Sequence, residues 1–396
     1  MSKQLAAATK SAGSLLARYR QLSPSAAVFV SPLCLGTMNF GTSMKAMLGE
    51  CSKETTFEIL DYYFDQGGNF IDTANSYQGG GTETWLGEWM AARKNRDQIV
   101  LATKYTGPHR LQDPSIQIRA NYGGNGIKSL RLTLEDSLKR LQTDYVDVLY
   151  VHWWNYTATI PEVMHSLNDL VVSGKVLYLG ISDSPAWLVA KANQYARDHG
   201  LRPFVVYQGP WNAAFRDLER EVVPMCRDEG MGICAYSALN SGKFQTAAAF
   251  EERKSNNPGR NLTAVSTRDK QVSQVLEKMA DAKETTLTNV ALSYILDKEP
   301  YVFPIVGGRK LSHIKGNIEG LSVTLTEEEI VEIDNAYSFD PGFPHNFLSG
   351  TLMQGWDAPQ KLASRASEVR WTQSQGTFDW VESPKAIRPG PATSGV

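Results

Sequence analysis

Eight short apolar runs, each followed by a stretch of helical period, constrain the fold more than any other feature of this sequence. The runs are LCLGTM (33–38), NFID (69–72), IVLATK (99–104), VDVLYVH (146–152), VLYLGIS (176–182), FVVYQ (204–208), GICAYS (232–237) and YVFPIV (301–306). They are continuously apolar rather than alternating, the pattern of strands covered on both faces, as in parallel sheets. Between them, KETTFEILDYYFDQ (53–66) sets Phe57, Leu60 and Phe64 at helical spacing, and GIKSLRLTLEDSLKRLQ (126–142) carries Leu130, Leu134, Leu138 and Leu141 on one stripe. IPEVMHSLNDLVVSGK places Pro161 in a first turn and Gly174 past the end, and SPAWLVAKANQYARDHG offers Ser184 as a cap before Pro185. Eight strand–helix units predict an α/β fold, a (β/α)8 TIM barrel.

Several strand starts lie about 30 residues apart, one strand–helix unit each. Two insertions, 105–126 and 238–270, follow strands and so fall on the loops where such barrels build their sites. The expected organisation is an N-terminal arm over 1–27, a barrel over 28–337 and an irregular tail over 338–396, part of which could fold over the barrel mouth. The arm holds Lys3, Lys10, Arg18 and Arg20 with no acid before Glu50, a weak likeness to a transit peptide; a solvated arm is the preferred reading, and a cytoplasmic location is expected. A formal charge of −2 gives no global field for nucleic acid or an anionic membrane, and no apolar run reaches the roughly 18 residues of a membrane span. Cys34, Cys51, Cys226 and Cys234 form no CxxC pair and fit no zinc site, so no metal is expected and the thiols read as reduced.

On this map four polar residues land alike. Asp72 closes its run, Tyr77 begins the loop beyond it, Lys104 closes the next run and His152 the one after. Singly, each has a bland reading: a packed tyrosine, a solvated lysine, a satisfied histidine beside Trp153 and Trp154. Together, at strand ends of one barrel, they converge on one rim, which is what a site demands. An ammonium beside a phenol lowers its pKa, so Asp72 could hold Lys104 and Lys104 could acidify Tyr77.

The segments FIDTANSY, LATK and DVLYVHW resemble the catalytic segments of the aldo-keto reductases, and the likeness continues through YLGISD (178–183), VVYQGPWN (205–212), CAYSALNSGK (234–243) and PIVGGRK…IKGNIE (304–319). It covers about 20–335 in order. ARYRQLSP, CLGTMNFG and GGRK look most like the fungal aryl-alcohol dehydrogenase and norsolorinic acid reductase branch. The resemblance implies the tetrad Asp72, Tyr77, Lys104 and His152 and a nicotinamide cofactor: a carbonyl that accepts hydride becomes an alkoxide and needs a proton, which Tyr77 would deliver while His152 orients the substrate oxygen. It implies Tyr236 stacked on the nicotinamide ring, Ser182 and Gln208 at its carboxamide, and Gly36, Thr37 and Met38 passing close by their backbone. Asp183 stands where many relatives carry asparagine, and a carboxylate can accept from an amide NH2 but not donate. Ser237, Leu239, Ser241, Gly242 and Lys243 would line the pyrophosphate. Gly307, Arg309 and Lys310 would meet an adenosine 2′-phosphate, so NADPH is favoured over NADH; His313 replaces an arginine of many relatives, and Asn317 would meet the adenine.

Two rival motifs fail on context. GMGICA (230–235) enters a strand instead of leaving one, and YILDK (294–298) lies late in a chain with no N-terminal glycine-rich nucleotide turn. Phe40, Tyr77, Tyr105, Trp153, Trp154 and Trp211 are expected to line an aromatic pocket, with Trp356, Trp371 and Trp380 of the tail as further candidates. The resulting expectation is NADPH-dependent reduction of a small aromatic or polycyclic carbonyl; the alternative is a slow, nicotinamide-binding regulatory barrel of the channel-subunit type. No nucleic-acid or membrane partner is expected, and monomer and homo-oligomer both stay open.

Overall fold

The computed structural model describes residues 13–111, 113–255, 264–355, 358–381 and 383–387. Ten strands occur among them: β1 (Arg20–Ser23), β2 (Ala26–Val30), β3 (Cys34–Gly36), β4 (Phe70–Asp72), β5 (Val100–Tyr105), β6 (Val146–Val151), β7 (Val176–Ser182), β8 (Phe204–Pro210), β9 (Gly232–Tyr236) and β10 (Ile305–Val306). Eight form one parallel sheet in the order β10-β3-β4-β5-β6-β7-β8-β9. Its ends meet: Ile233 N donates to Tyr301 O at 2.8 Å, Phe303 N to Ile233 O at 2.8 Å and Ala235 N to Phe303 O at 3.2 Å. The (β/α)8 barrel is thereby closed. The run at 301–306 yields only two residues of regular strand because Pro304, inside it, has no N–H to give a ladder.

Period two along each strand explains both the core and the site. Residues facing the barrel interior include Cys34, Phe70, Val100, Ala102, Val148, Tyr150, Val206, Cys234 and Phe303, which pack as one buried cluster. The alternate residues, among them Leu35, Ile71, Leu101, Leu149 and Ile181, pack outward against the helices. Two residues on from the interior side chains Phe70, Ala102, Tyr150, Val206 and Cys234 stand Asp72, Lys104, His152, Gln208 and Tyr236, so all five stand on the inward side at the C-terminal rim. Register staggers them along the rim: Asp72 pairs with Ala102, Lys104 with Tyr150 and Gln208 with Cys234, each two residues before the next strand's rim group, while Ser182 pairs with Gln208 itself.

The opposite end of the barrel is plugged. Residues 20–30, expected as part of a solvated arm and the start of the barrel, form the antiparallel hairpin β1–β2, and its Leu22, Ala26 and Val30 join the interior cluster. The carbonyl of Leu22 occupies the space that a side chain at Gly232 would fill, so β9 must begin with glycine. The apolar alternation of the hairpin is what buries it.

Local signals fared unevenly. Ser52 caps helix Lys53–Asp65 through Thr55 N at 3.2 Å, and Thr159 caps Ile160–Val172 with Pro161 in its first turn. Ser184 is no cap: its Oγ donates to Ser182 O at 2.8 Å, and helix Ala186–Asp198 starts after Pro185 without a side-chain cap. The described part of the tail runs along helix Leu218–Asp228, where Arg220 donates to Asp340 O at 2.7 Å and Arg365 approaches Glu299 at 3.5 Å. Beneath the barrel, Arg365, Ser383 and Pro384 of the tail close a cavity of about 210 Å³ with Pro24, Met231 and Tyr301. Trp371 and Trp380 are exposed on the tail, and Trp356 lies outside the described residues. Among the described residues no helix is long and apolar enough to cross a membrane, and no cluster of three or more candidate metal ligands occurs.

Candidate active site

At the rim, the fully buried Lys104 is the hub. Its Nζ donates to Asp72 Oδ1 at 2.5 Å, to Thr73 O at 2.7 Å and to Tyr77 Oη at 3.3 Å. Three donors meet three acceptors, so the ammonium is saturated. Burial alone would push its pKa down, but Asp72 and Tyr77 outweigh that and leave it raised, so Lys104 stays charged. The second oxygen of Asp72 accepts from Gln208 Nε2 at 2.9 Å. One carboxylate therefore fixes both the lysine and the glutamine across the barrel.

Tyr77 accepts from Lys104 through its oxygen, which leaves its own O–H to donate elsewhere. Burial raises its pKa above 10, and the opposing pull of Lys104 does not cancel that. The sequence argument had expected a net acidified phenol; in the resting protein desolvation wins, and Tyr77 holds its proton through the neutral range. His152 stands edge-on to Tyr77 with ring centroids 6.1 Å apart. Burial, then the charge of Lys104, lower its pKa to about 3, so its ring is neutral at neutral pH. Its Nδ1 is buried without a partner in the protein.

Asp72, Tyr77 and His152 line a cavity of about 330 Å³ together with Gly36, Thr37, Met38, Ser182, Asp183, Gln208, Tyr236, Ser237, Ser241 and Gly307, and with Asn39 and Ile305, which sequence reasoning missed. Asn39 directly follows Met38 in the run's loop, and its buried Oδ1 lacks a partner, as does Ser182 Oγ. Because Gln208 spends its Nε2 on Asp72, it presents Oε1 as an acceptor. An acceptor and an unpaired hydroxyl on one wall fit a carboxamide. Tyr236 donates to Asp183 Oδ1 at 3.2 Å. Gln78, just past Tyr77, donates to Met38 O at 3.1 Å and steadies the β3 loop.

The outer cofactor candidates are placed less uniformly. Ser237 and Ser241 are linked at 2.9 Å, whereas Leu239 packs into the core and Lys243 leans on Asp269 at 3.7 Å. Arg309 lies against the backbone of Gly49, leaving no room there for a side chain, and Lys310 is exposed at the N-cap of helix Leu311–Glu319 with no side-chain cap bond. His313 Nδ1 accepts from Arg309 N at 3.3 Å, and burial with Lys310 and Arg309 lowers its pKa, so it shapes the turn as a neutral ring. Asn317 is buried one turn from the end of that helix.

Five of the six expected pocket aromatics do not line the cavity; Tyr77 alone of them does. Phe40, Tyr105 and Trp211 are fully buried and Trp154 nearly so. Trp211 donates to Glu219 Oε1 at 3.0 Å, and Tyr105 points to Asn125 O at 3.5 Å. Burying large apolar area outweighs display at a rim. The exposed Trp153 stands outside the cavity wall but next to it, its ring centroid 4.8 Å from that of His152. Trp153 is held by a residue not foreseen: Asn125 Nδ2 donates to Thr106 Oγ1 at 2.9 Å and to Trp153 O at 3.0 Å, while its Oδ1 accepts from Asn155 N at 2.7 Å. Asn125 thus ties the loop after β5 to the loop after β6.

A parallel barrel whose rim sets a saturated ammonium against a phenol, facing a cavity with carboxamide-matching groups, is that of an oxidoreductase acting on small carbonyl compounds. The chain belongs to the aldo/keto reductase family, whose model matches residues 32–338 and whose members use nicotinamide cofactors. It is 62% identical over 372 residues to norsolorinic acid reductase B of Dothistroma septosporum, spanning 94% of each chain. It is 59% identical over 379 residues to norsolorinic acid reductase B of Aspergillus parasiticus, spanning 95% of this chain and 98% of that one. An aryl-alcohol dehydrogenase of Pestalotiopsis microspora is 51% identical over 377 residues, 95% of this chain and 94% of that one.

Proposed function

We propose that the chain reduces an aromatic or polycyclic aldehyde or ketone to the alcohol with NADPH, in fungal secondary metabolism. The observation that carries this reading is Lys104 Nζ at 3.3 Å from Tyr77 Oη, on the wall of a cavity that His152 also lines. A bound reduced nicotinamide supplies hydride. Tyr77 donates its proton to the carbonyl oxygen as charge develops there, and the phenolate left behind faces a permanent ammonium. The raised resting pKa of the phenol suits this direction, because the donor arrives protonated. Neutral His152 orients the carbonyl oxygen, and Asp72 keeps Lys104 in place.

Ser182 and Gln208 hold the carboxamide, with Tyr236 against the ring and the backbone of Gly36, Thr37 and Met38 beneath it. Ser237, Ser241, Gly242 and Lys243 border the pyrophosphate. Arg309 and Lys310, at the open N-terminus of their helix, suit a 2′-phosphate dianion, which favours NADPH. Asn317 serves the adenine. The named relatives, reductases and a dehydrogenase of aryl compounds, support a flat aromatic substrate, and Trp153 offers a face for it. The substrate is a small molecule.

Tyr77→Phe tests the reading. It should leave NADPH binding, followed by nucleotide fluorescence, unchanged and lower kcat on an aryl aldehyde by about a hundred- to ten-thousandfold. Turnover within a few-fold of the parent refutes Tyr77 as donor, and tight nucleotide binding with no turnover of any aromatic carbonyl by the parent refutes the reductase reading.

A further inference from the structure

We propose that Asp183 makes the nicotinamide site selective for redox state, its ionised carboxylate favouring the cationic oxidised ring over the neutral reduced one. This rests on the cofactor reading above and extends it to one residue and its charge.

Asp183 is the first residue past β7, in a left-handed turn at φ 43°, with its N–H fixed to Gln208 O at 3.1 Å. That turn sets it on the cavity wall beside Ser182 and Gln208, the groups suited to the carboxamide. Among the described residues no cation lies within ion-pairing reach of it. Its partner is the Tyr236 hydroxyl at 3.2 Å, and the nearest ammonium, Lys104, is committed to Asp72, Thr73 and Tyr77.

The groups facing it are nearly all neutral. They are Ser182 on its own strand, Tyr207 and Gln208 on β8, Tyr236 on β9, and Tyr77 and His152 across the cavity; the Asp72–Lys104 pair is internally balanced. Tyr207 spends its proton on Ser184 O at 2.9 Å. The residue is exposed to the cavity, and the packing of its carboxyl among these side chains raises its pKa to about 6 against the lowering pull of Tyr236, Ser182 and Lys104. It therefore changes charge close to neutrality.

A ring that fills this cavity displaces the water that solvates the carboxylate, which strengthens any charge–charge term. A positive ring then lowers the pKa of Asp183, and a neutral ring does not. By linkage the affinity for the oxidised cofactor must rise, relative to the reduced one, as Asp183 ionises. An asparagine at this position could hold a carboxamide but could not make that distinction.

The test is to titrate the purified chain with NADP+ and with NADPH, separately, from about pH 5 to about pH 8, and to follow the ratio of the two dissociation constants. The 2′-phosphate also titrates near about pH 6, but it is common to both nucleotides and cancels in the ratio. His152 stays neutral across the window, with its pKa at about 3. The ratio Kd(NADP+)/Kd(NADPH) should fall by about tenfold or more as pH rises, since an opposite charge nearby lowers a carboxyl pKa by about 1–3 units. Asp183→Asn, which the left-handed turn accepts, should bind both nucleotides with a ratio flat in pH. A flat ratio in the parent chain, or an unchanged slope in Asp183→Asn, overturns the proposal while leaving the cofactor reading intact. Failure of either nucleotide to bind the parent at any pH overturns both. The parent's own pH dependence decides the matter even if the variant folds poorly.

Discussion

Replacing Asp72 by asparagine separates charge from shape at the hub of the site. The carboxylate gives one oxygen to Lys104 at 2.5 Å and the other to Gln208 Nε2 at 2.9 Å. An amide has one acceptor, so one of those two donors must face another donor, and the fully buried ammonium loses its counter-charge. Removing one partner of a buried ion pair costs about 3–5 kcal/mol. Lys104 can limit the damage by giving up its proton, and neutralising a lysine of ordinary pKa at about pH 7 costs about 4–5 kcal/mol, which sets the ceiling. The expected loss is therefore about 3–4 kcal/mol at about pH 7. The sign of its pH dependence follows. In the variant the folded-state pKa of Lys104 lies below its unfolded value, so the unfolded chain binds the extra proton and stability recovers as pH rises. In the parent that pKa is raised, and the ammonium's contribution is intact until the pH exceeds the ordinary lysine value. Urea unfolding of both chains at about pH 7 and about pH 9 should show the gap narrowing at the higher pH with m unchanged. A gap below about 1 kcal/mol, or one that widens with pH, would show that Lys104 is not the buried, charge-dependent hub described here.

Further outcomes follow from the surrounding network. Asn125→Ala should destabilise the chain by about 1–3 kcal/mol and raise KM for aromatic aldehydes several-fold with small aliphatic ones little changed, measured by steady-state kinetics, because Trp153 loses its anchor. Glu219, buried and held by Arg216 at 2.7 Å, Trp211 and Lys298, has its carboxyl lowered because those partners overcome burial. Glu219→Gln should cost about 3 kcal/mol in urea unfolding, with Asp334 still compensating the two cations. Since a depressed carboxyl stabilises above its unfolded pKa, the cost should be complete above pH 4.5 and shrink as pH falls below that value.

Much of the site was legible because period and position carry it. A continuous apolar run that ends in Asp72, Lys104 or His152 states both that a strand is covered on two faces and that a polar group stands at its end. The strand alternation then fixes the side on which each stands. The pocket's aromatic lining was not legible. Tyr105 ends β5, and Trp211, Trp154 and Phe40 sit in loops, positions where sequence allows either display or burial, and only packing chose burial. The hairpin over 20–30 was missed for a similar reason: its alternation is short, and its partner surface, the barrel's open end, exists only after closure. The tail's route follows Arg220, Arg227 and the buried Glu299, charges that only the closed barrel arrays along one flank. Asn125 carried no signal, since three hydrogen bonds across two loops leave no periodic trace.

The sequence alone determined the barrel, its strand order and the polar residues at its rim, because hydrophobic period is local and a parallel βα repeat has few ways to close. Tertiary structure decided the energies: that burial outweighs Lys104 in setting the phenol's pKa, that Gln208 is bound to Asp72, and which aromatics reach the cavity. Those are properties of distance and desolvation, and neither exists along an extended chain.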